Sequence, residues 1–493
     1  MFTIVPQPVE VRSLEGESAH ITSATRLVTG TGGAELELGV VLAGILGTLV
    51  GQAISLVQSD DPDEAPQPGD IVMRIDEATG PAGSTSDERY TLESRDGAVV
   101  VSAPAYAGVV RGVATLGQLL SPTSTGGFVV PPVRVVDAPR YPWRGLSLDV
   151  ARHFFGVDDI KRVIALMTRY KLNVLHLHLS DDQGWRLEIP SRPELTARAS
   201  GSSVGGGPGG FFTVAEFDEI QRFAQARAIT VVPEIDIPGH TNAALQAYAE
   251  LNPDGVAKDA YTGIEVGFST LDASLPATKD FLRDVFGDLA SMTQGPWVHL
   301  GGDEAHGTER EDYETIVSFA ADVLRDAGKV PVGWQEFAAS PSSAGGIVQL
   351  WHMELELEPV AAAARAGAQV VLSPGNRVYL DMKYHEGYPL GLDWAGHVEL
   401  RDSYDWEPTE AVPGLDPEAI VGIEAAVWTE TLTNLDELST MLLPRLTAVA
   451  EVAWTARELR DWDSYARRIA GQAWRWERNG LSWHRSPGVD WAE

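Results

Sequence analysis

Asp303 and Glu304 are the residues best placed to do chemistry. They are adjacent carboxylates that follow the apolar run Trp297-Val298-His299-Leu300 and the pair Gly301-Gly302. Paired carboxylates suit acid–base catalysis, because one can hold a proton while the other stays ionised. Neighbours on an extended strand point to opposite faces, so the two share a site only if the strand ends there and the backbone turns. Gly301 and Gly302 allow such a turn, having no Cβ to clash. An acidic pair after a strand would equally serve as a helix N-cap, so the elements around it must decide.

Those elements alternate. Candidate strands are Gly145–Asp149, Val174–Leu179, Ile229–Ile235, Trp297–Leu300, Pro331–Trp334, Ile347–Trp351, Val370–Ser373 and Ile420–Val427. Helical spacing follows most of them, over Val157 to Tyr170, Val214 to Ala226, Thr278 to Met292, Glu314 to Ala327, Pro359 to Ala366 and Leu435 to Trp454. The pattern predicts an α/β fold, a (β/α)8 TIM barrel over 139–493 with a C-terminal helical extension. A doubly wound sheet fits less well, since no Gly-rich phosphate turn follows the first strand. Residues 1–138 mix short β-like runs with helical spacing between Tyr106 and Leu120, and predict a small non-catalytic α+β domain. The Pro-rich passage from Pro131 to Pro142 marks the boundary. Gly201 to Gly210 reads as a flexible rim loop.

Barrel enzymes collect catalytic residues at the carboxyl ends of their strands, and here those ends are polar or aromatic. The first carries Asp149 and Arg152, the second His176-Leu177-His178 and Asp181-Asp182, the third Glu234, Asp236 and His240. Later ends carry Trp334-Gln335-Glu336, Trp351-His352, Tyr379-Leu380-Asp381, and Glu424 through Trp428-Thr429-Glu430. Two chemistries fit. His176 and His178 share a strand face, as ligands of a metal-dependent amidohydrolase would. Glycoside hydrolysis instead needs an acid for the leaving oxygen and a group to stabilise the anomeric centre. Trp185, Trp334, Trp351, Trp394 and Trp428 favour the sugar, because indole faces stack on pyranose C–H faces. His176 and His178 then read as supporting hydrogen-bonding groups.

His299-Leu300-Gly301-Gly302-Asp303-Glu304 resembles the active-site signature of the glycoside hydrolase family 20 β-N-acetylhexosaminidases. The resemblance extends through Arg144-Gly145 to His153, Asn173 to Trp185, Pro233 to His240, Gly333-Trp334, Tyr379-Leu380-Asp381 and Trp428-Thr429-Glu430. It implies a retaining exo-hydrolase of terminal non-reducing β-linked GlcNAc or GalNAc, in oligosaccharides or glycoconjugates, with no metal and no other cofactor. The substrate's own 2-acetamido oxygen is the nucleophile in that family, and the intermediate is an oxazolinium ion. The implied roles are general acid and base for Glu304, acetamide orientation for Asp303, and a hydrogen bond to the acetamido oxygen for Tyr379. Trp334, Trp351 and Trp428 would wall the pocket, and Arg152, Asp381 and Glu430 would hold sugar hydroxyls. Asp181 and His240 would form a relay to Glu304; whether Asp181 or Asp182 touches His240 stays open, with the family pattern favouring Asp181. Gln335 departs from the family pattern without putting much in doubt.

Like charges side by side resist joint ionisation. If the acetamido N–H and the emerging cation hold Asp303 ionised, Glu304 is the one expected to keep its proton for acid work. The rivals are a family member that releases a disaccharide such as lacto-N-biose, the metal-dependent amidohydrolase, and an inert sugar-binding module.

Bulk composition narrows the partners. The 493 residues carry a net charge of −33, which disfavours nucleic acid and acidic membrane surfaces. There is no cysteine, hence no disulfide, thiolate metal site or cysteine nucleophile. The run Val40 to Val50 is too short to span a bilayer. The start lacks a signal-peptide pattern, which points to a cytoplasmic protein, or to a secreted one in its trimmed form.

Overall fold

The computed structural model describes residues 2–59, 65–124 and 126–491. Among these, eight parallel strands close into a barrel: β1 (Trp143–Asp149), β2 (Val174–His178), β3 (Thr230–Glu234), β4 (Trp297–His299), β5 (Val330–Trp334), β6 (Ile347–Leu350), β7 (Gln369–Leu372) and β8 (Ile420–Val427). β1 closes the barrel by pairing with both β2 and β8, from Gly145↔Val174 to Asp149↔His178 on one side and Gly145↔Glu424 on the other.

The two-residue period of the strands sorts the side chains. One set, including Leu175, Leu177, Val298, Leu350, Leu372 and Ile423, faces the surrounding helices in the main hydrophobic core. The other set fills the barrel in layers. Trp143, Val174, Val232, Val332, Ile347 and Val371 make an apolar base. Buried polar groups lie above it: His176, Glu234, His299, Gln349 and Glu424. An aromatic cluster of Trp334, Trp351 and Tyr379, with Trp428 packed against it, occupies the carboxyl end.

The outer helices follow ordinary end chemistry. Val214–Gln225 starts with a capping box, Thr213 accepting from the Glu216 N–H and Glu216 from the Thr213 N–H. Pro276 opens Pro276–Met292, where its missing N–H costs nothing. The single helix expected from Leu435 to Trp454 is two, Leu435–Leu442 and Arg445–Trp454. Pro444 lies between them and cannot donate the N–H a continuous helix requires.

Residues before the barrel form a seven-stranded mixed sheet ending in Val133–Asp137, with the helices Gly33–Val50 and Tyr106–Leu119 sharing its core. A buried joint ties this unit to the barrel. Lys171 Nζ meets Asp137 Oδ2 at 2.8 Å and the Tyr90 hydroxyl at 2.9 Å, and Trp454 Nε1–H donates to Asp137 Oδ1 at 3.0 Å. Among the described residues no helix is long and apolar enough to cross a membrane.

Candidate active site

The turn after β4 makes the Asp303–Glu304 arrangement possible. Gly301 has φ 71° and Gly302 φ 105°, and Glu304 itself lies at φ 45°. Such values suit glycine and strain other residues. A Cβ at Gly301 would fall 1.7 Å from Asp236 Oδ1, so bulk as well as conformation demands glycine there. The same Asp236 oxygen accepts the Gly302 N–H at 2.9 Å, and the Tyr313 hydroxyl donates to the Gly302 carbonyl at 2.9 Å. With the backbone so fixed, both carboxylates reach one cavity.

That cavity measures about 310 Å³ and opens at the carboxyl end of the barrel. Asp303, Glu304, Arg152 and Glu430 supply its charged lining; Trp351, Tyr379, Trp394 and Trp428 supply aromatic walls. Trp351 and Tyr379 are nearly parallel, 12° apart with centroids 6.3 Å apart, and Trp394 stands edge-on to both. Its volume is at the small end of ligand pockets, roughly 300 Å³. Arg152 Nε and Nη1 and both oxygens of Asp381 are buried and make no hydrogen bond among the described residues. Buried polar atoms are normally satisfied. Hydroxyls of a bound polyol would satisfy these.

Behind Glu304 stands a buried chain. Asp181, not Asp182, meets His240: Oδ1 lies 3.1 Å from Nδ1. Asp181 Oδ2 receives Arg152 Nη2 at 2.8 Å and His178 Nε2 at 2.9 Å. Asp182 instead accepts from the Asn242 N–H at 2.9 Å and from the Ser269 hydroxyl. His240 Nε2 then lies 3.5 Å from Glu304 Oε2 and 3.8 Å from Asp303 Oδ2. Burial works against charge on His240, but Asp181 outweighs it and holds the imidazole protonated well above its ordinary range.

The protein's own groups bias the pair toward a proton on Asp303. Burial pulls the Glu304 carboxyl upward, but the His240 imidazolium prevails and holds it below the usual carboxylate value. Burial raises Asp303, with Glu304 and Glu234 adding to the rise against the pull of His240. These groups favour the proton on the Asp303 side, where Asp236, raised well up by burial and by Asp303, adjoins it. Tyr379 is kept a neutral phenol by burial and the neighbouring carboxylates.

The remaining expected groups divide. Trp334 is fully buried below the cavity, donating from Nε1 to Glu234 Oε1 at 2.7 Å and packing under Trp428. Asp381 is buried beside Glu430, and its carboxyl is raised well up by burial and then by Glu430. Trp185 is not a sugar-facing ring: it packs edge-on to Phe281 and donates to the Leu187 carbonyl. The Gly201–Gly210 stretch lies beside Arg152, the Val204 N–H donating to the Arg152 carbonyl at 3.0 Å, and it is held at both ends. Arg186 grips the carbonyls of Ser200, Ser202 and Gly210, and a Cβ at Gly209 would strike the Ser200 carbonyl at 2.0 Å. Gly209 and Gly210 serve close approach, and Gly205 and Gly206 supply positive φ. His176 and His178 face each other's carboxylates in the barrel interior, His176 between Glu234 and Glu424 and His178 between Glu234 and Asp181.

Glu336 is a site group that the sequence reading named at a strand end without assigning it work. Its Oε1 accepts the Glu304 N–H at 3.3 Å, and its Oε2 accepts Trp351 Nε1–H at 3.1 Å. It thereby bridges the strained backbone of Glu304 to an aromatic wall.

The sequence profile described as glycosyl hydrolase family 20, catalytic domain, matches residues 141–457, and that family's domain 2 matches residues 1–138. The chain belongs to glycoside hydrolase family 20. Its likeness to a β-N-acetylhexosaminidase of Cellulomonas fimi is 52% identity over 488 residues, 99% of this chain and 97% of that protein. A β-hexosaminidase of Vibrio furnissii is 33% identical, over 91% of this chain and 76% of its own. Among solved structures, the N-acetyl-β-hexosaminidase of Streptomyces plicatus superposes with a TM-score of 0.92 at 44% identity, covering 99% of this chain and 98% of the other. This family 20 member is a glycoside hydrolase with the closed (β/α)8 barrel expected, preceded by an α+β unit.

Proposed function

We propose that the protein is a retaining exo-β-N-acetylhexosaminidase that removes terminal non-reducing β-linked GlcNAc or GalNAc by substrate-assisted catalysis. The observation that carries this reading is the delivery of Asp303 and Glu304, by the Gly301-Gly302 turn, into one aromatic-walled cavity of about 310 Å³. Membership of family 20 and the high identity to β-N-acetylhexosaminidases support it.

In this mechanism Glu304 donates its proton to the glycosidic oxygen as the C1–O bond breaks. The 2-acetamido carbonyl oxygen attacks C1 and closes an oxazolinium ring. Asp303 accepts the acetamido N–H, which fixes the attacking oxygen and stabilises the positive charge that develops on the amide. Tyr379 donates its phenolic O–H to the same carbonyl oxygen. The Glu304 carboxylate then takes a proton from water, which attacks C1 from the face the leaving group vacated. The β configuration is thus retained. Arg152, Glu430 and Asp381 hold ring hydroxyls, Trp351 and Trp428 wall the sugar, and Trp334 floors the acetamide pocket.

Substrate binding also resets the protons. An N–H on Asp303 favours its carboxylate, while a sugar closing over Glu304 removes water and raises its pKa. The proton demanded by acid catalysis is thereby placed on Glu304 as the substrate arrives. The role of Asp181 and His240 is to control that carboxyl through both steps.

The direct test compares aryl β-glycosides with and without the 2-acetamido group. The expected result is rapid release of p-nitrophenol from the β-GlcNAc glycoside and almost none from the β-glucoside. Equal rates on the two would sink the substrate-assisted reading. Activity lost on exhaustive chelation would instead favour the metal-dependent amidohydrolase, and release of intact disaccharide units the lacto-N-biosidase reading.

A further inference from the structure

A second cavity, of about 120 Å³, lies at the seam where the N-terminal unit meets the barrel and the C-terminal helix Ala473–Arg478. One side is apolar: Ile45 and Leu49 come from the helix Gly33–Val50, and Leu120 and Phe128 complete the wall. The other side is cationic. Arg169, Arg227, Arg475 and Arg478 all line it, and among the described residues no Asp or Glu does. In a chain of 70 acidic and 37 basic residues, that segregation is not a product of composition.

Buried charges are ordinarily paired, because an unpaired one forfeits its hydration. Here Arg475 is buried, Arg169 and Arg227 are half-buried and Arg478 is exposed, and among the described residues no carboxylate forms an ion pair with any of them. Arg475 Nη2 donates to the carbonyls of Gln118 and Leu120 at 2.7 and 2.8 Å, and Arg227 Nη1 to the Phe223 carbonyl at 3.0 Å. Arg169 Nη1 is buried and makes no hydrogen bond among the described residues. Burial depresses Arg169, and brings Arg227 and Arg475 down to about 10, with Arg169 pressing further on Arg475. Arg478 holds its guanidinium over the Phe128 ring, 4.9 Å from the centroid. An anion here would find fork donors on one side and apolar surface on the other.

We propose that this cavity binds a small organic monoanion, a carboxylate carried on a short apolar chain. The head is held by the Arg169 guanidinium, whose Nη1 makes no hydrogen bond among the described residues, with the Arg475 charge close by. The chain lies against Ile45, Leu49, Leu120 and Phe128. The site shares no lining residue with the cavity of Asp303 and Glu304, and its occupancy bridges three parts of the fold, so its effect is on stability rather than on turnover.

The test is thermal unfolding of the full chain with sodium hexanoate titrated at constant ionic strength against sodium chloride. Hexan-1-ol supplies the chain without the charge, and sodium acetate the charge without the chain. Hexanoate is expected to raise Tm saturably, by roughly 2 °C or more, while hexanol and acetate give no saturable rise. Arg169→Gln should weaken the hexanoate response by about tenfold or more. Because Arg169 is half-buried, Ala165→Phe serves as a second variant: Ala165 is an exposed residue of the cavity wall, and the larger side chain should block entry without disturbing the fold. No saturable rise with hexanoate, an equal rise with acetate or hexanol, or a full response in both variants would overturn the proposal.

Discussion

His240 Nε2 stands 3.5 Å from Glu304 Oε2 and 3.8 Å from Asp303 Oδ2, so one imidazolium acts on both carboxyls of the pair. A cation lowers the pKa of a neighbouring acid, and its removal raises it. In His240→Gln both carboxyls lose the same cation. The bell of kcat/KM against pH, which reports the free enzyme, should therefore move bodily to higher pH while its height falls. A profile that keeps its position would contradict this role for His240.

Glu304→Gln removes the proton that the leaving group needs. Hydrolysis of chitobiose-like substrates, whose leaving oxygen is strongly basic, should fall by about 10²- to 10⁴-fold. Aryl glycosides with nitrated leaving groups should be much less affected at the first step, as a burst of phenolate would reveal. Asp303→Asn should instead harm every N-acetyl substrate alike, since it disturbs the acetamide and not the leaving group. Matching losses for the two variants across a leaving-group series would contradict the division of labour.

Glu336 holds the Glu304 N–H with one oxygen and the Trp351 indole with the other. Burial and the nearby Asp303 push its carboxyl from 4.5 up to about 7. The folded chain thus binds an extra proton between about 4.5 and about 7 relative to the unfolded one. The contribution of Glu336 to stability is fully present below that window and is lost as pH rises through it. Denaturant titrations of Glu336→Gln should show a shallower decline in stability across the window. The amide also replaces one acceptor by a donor, leaving one of two N–H groups unmatched, and kcat should fall by about tenfold. A wild-type slope together with wild-type kcat would contradict both statements.

The loop that carries Tyr379 and Asp381 is held by one buried cation. Arg445 donates to the carbonyls of Leu380, Met382 and Val398 at 2.6 to 2.7 Å. Arg445→Met would leave these acceptors buried and unpaired, at a cost of at least about 3 kcal/mol. Chemical denaturation should show the loss, and whatever folds should bind sugar poorly. A variant as stable and active as the parent would contradict it.

Much of this was legible because a barrel strand's two-residue period converts sequence into address. His176, His178, Glu234, Glu424 and Trp334 alternate with aliphatic residues, and the structure turns every one of them inward. The Gly301-Gly302 turn was legible for the same kind of reason, since only a reversal lets two adjacent carboxylates converge. What escaped depended on contacts between distant strands. Trp185 looks like its fellow indoles in sequence, yet Phe281 on an outer helix claims it. The relay from His240 to Glu304 was expected, but not that the imidazolium would outweigh burial and lower the Glu304 carboxyl. Glu336 was visible as a strand-end carboxylate, but its two partners lie 32 and 15 residues away. Gly209 and Gly210 read as slack, whereas Arg186 presses against the first and Phe154 against the second.

The central claim is that the nucleophile arrives with the sugar. It is tested most directly by kcat/KM on p-nitrophenyl β-glucosaminides whose N-acyl group is acetyl, fluoroacetyl, difluoroacetyl or trifluoroacetyl. Each fluorine withdraws electrons from the carbonyl oxygen that is proposed to attack C1, without changing the leaving group. A steep monotonic fall along the series is expected. A flat series would mean that the oxygen does not attack, and that a group of the protein does.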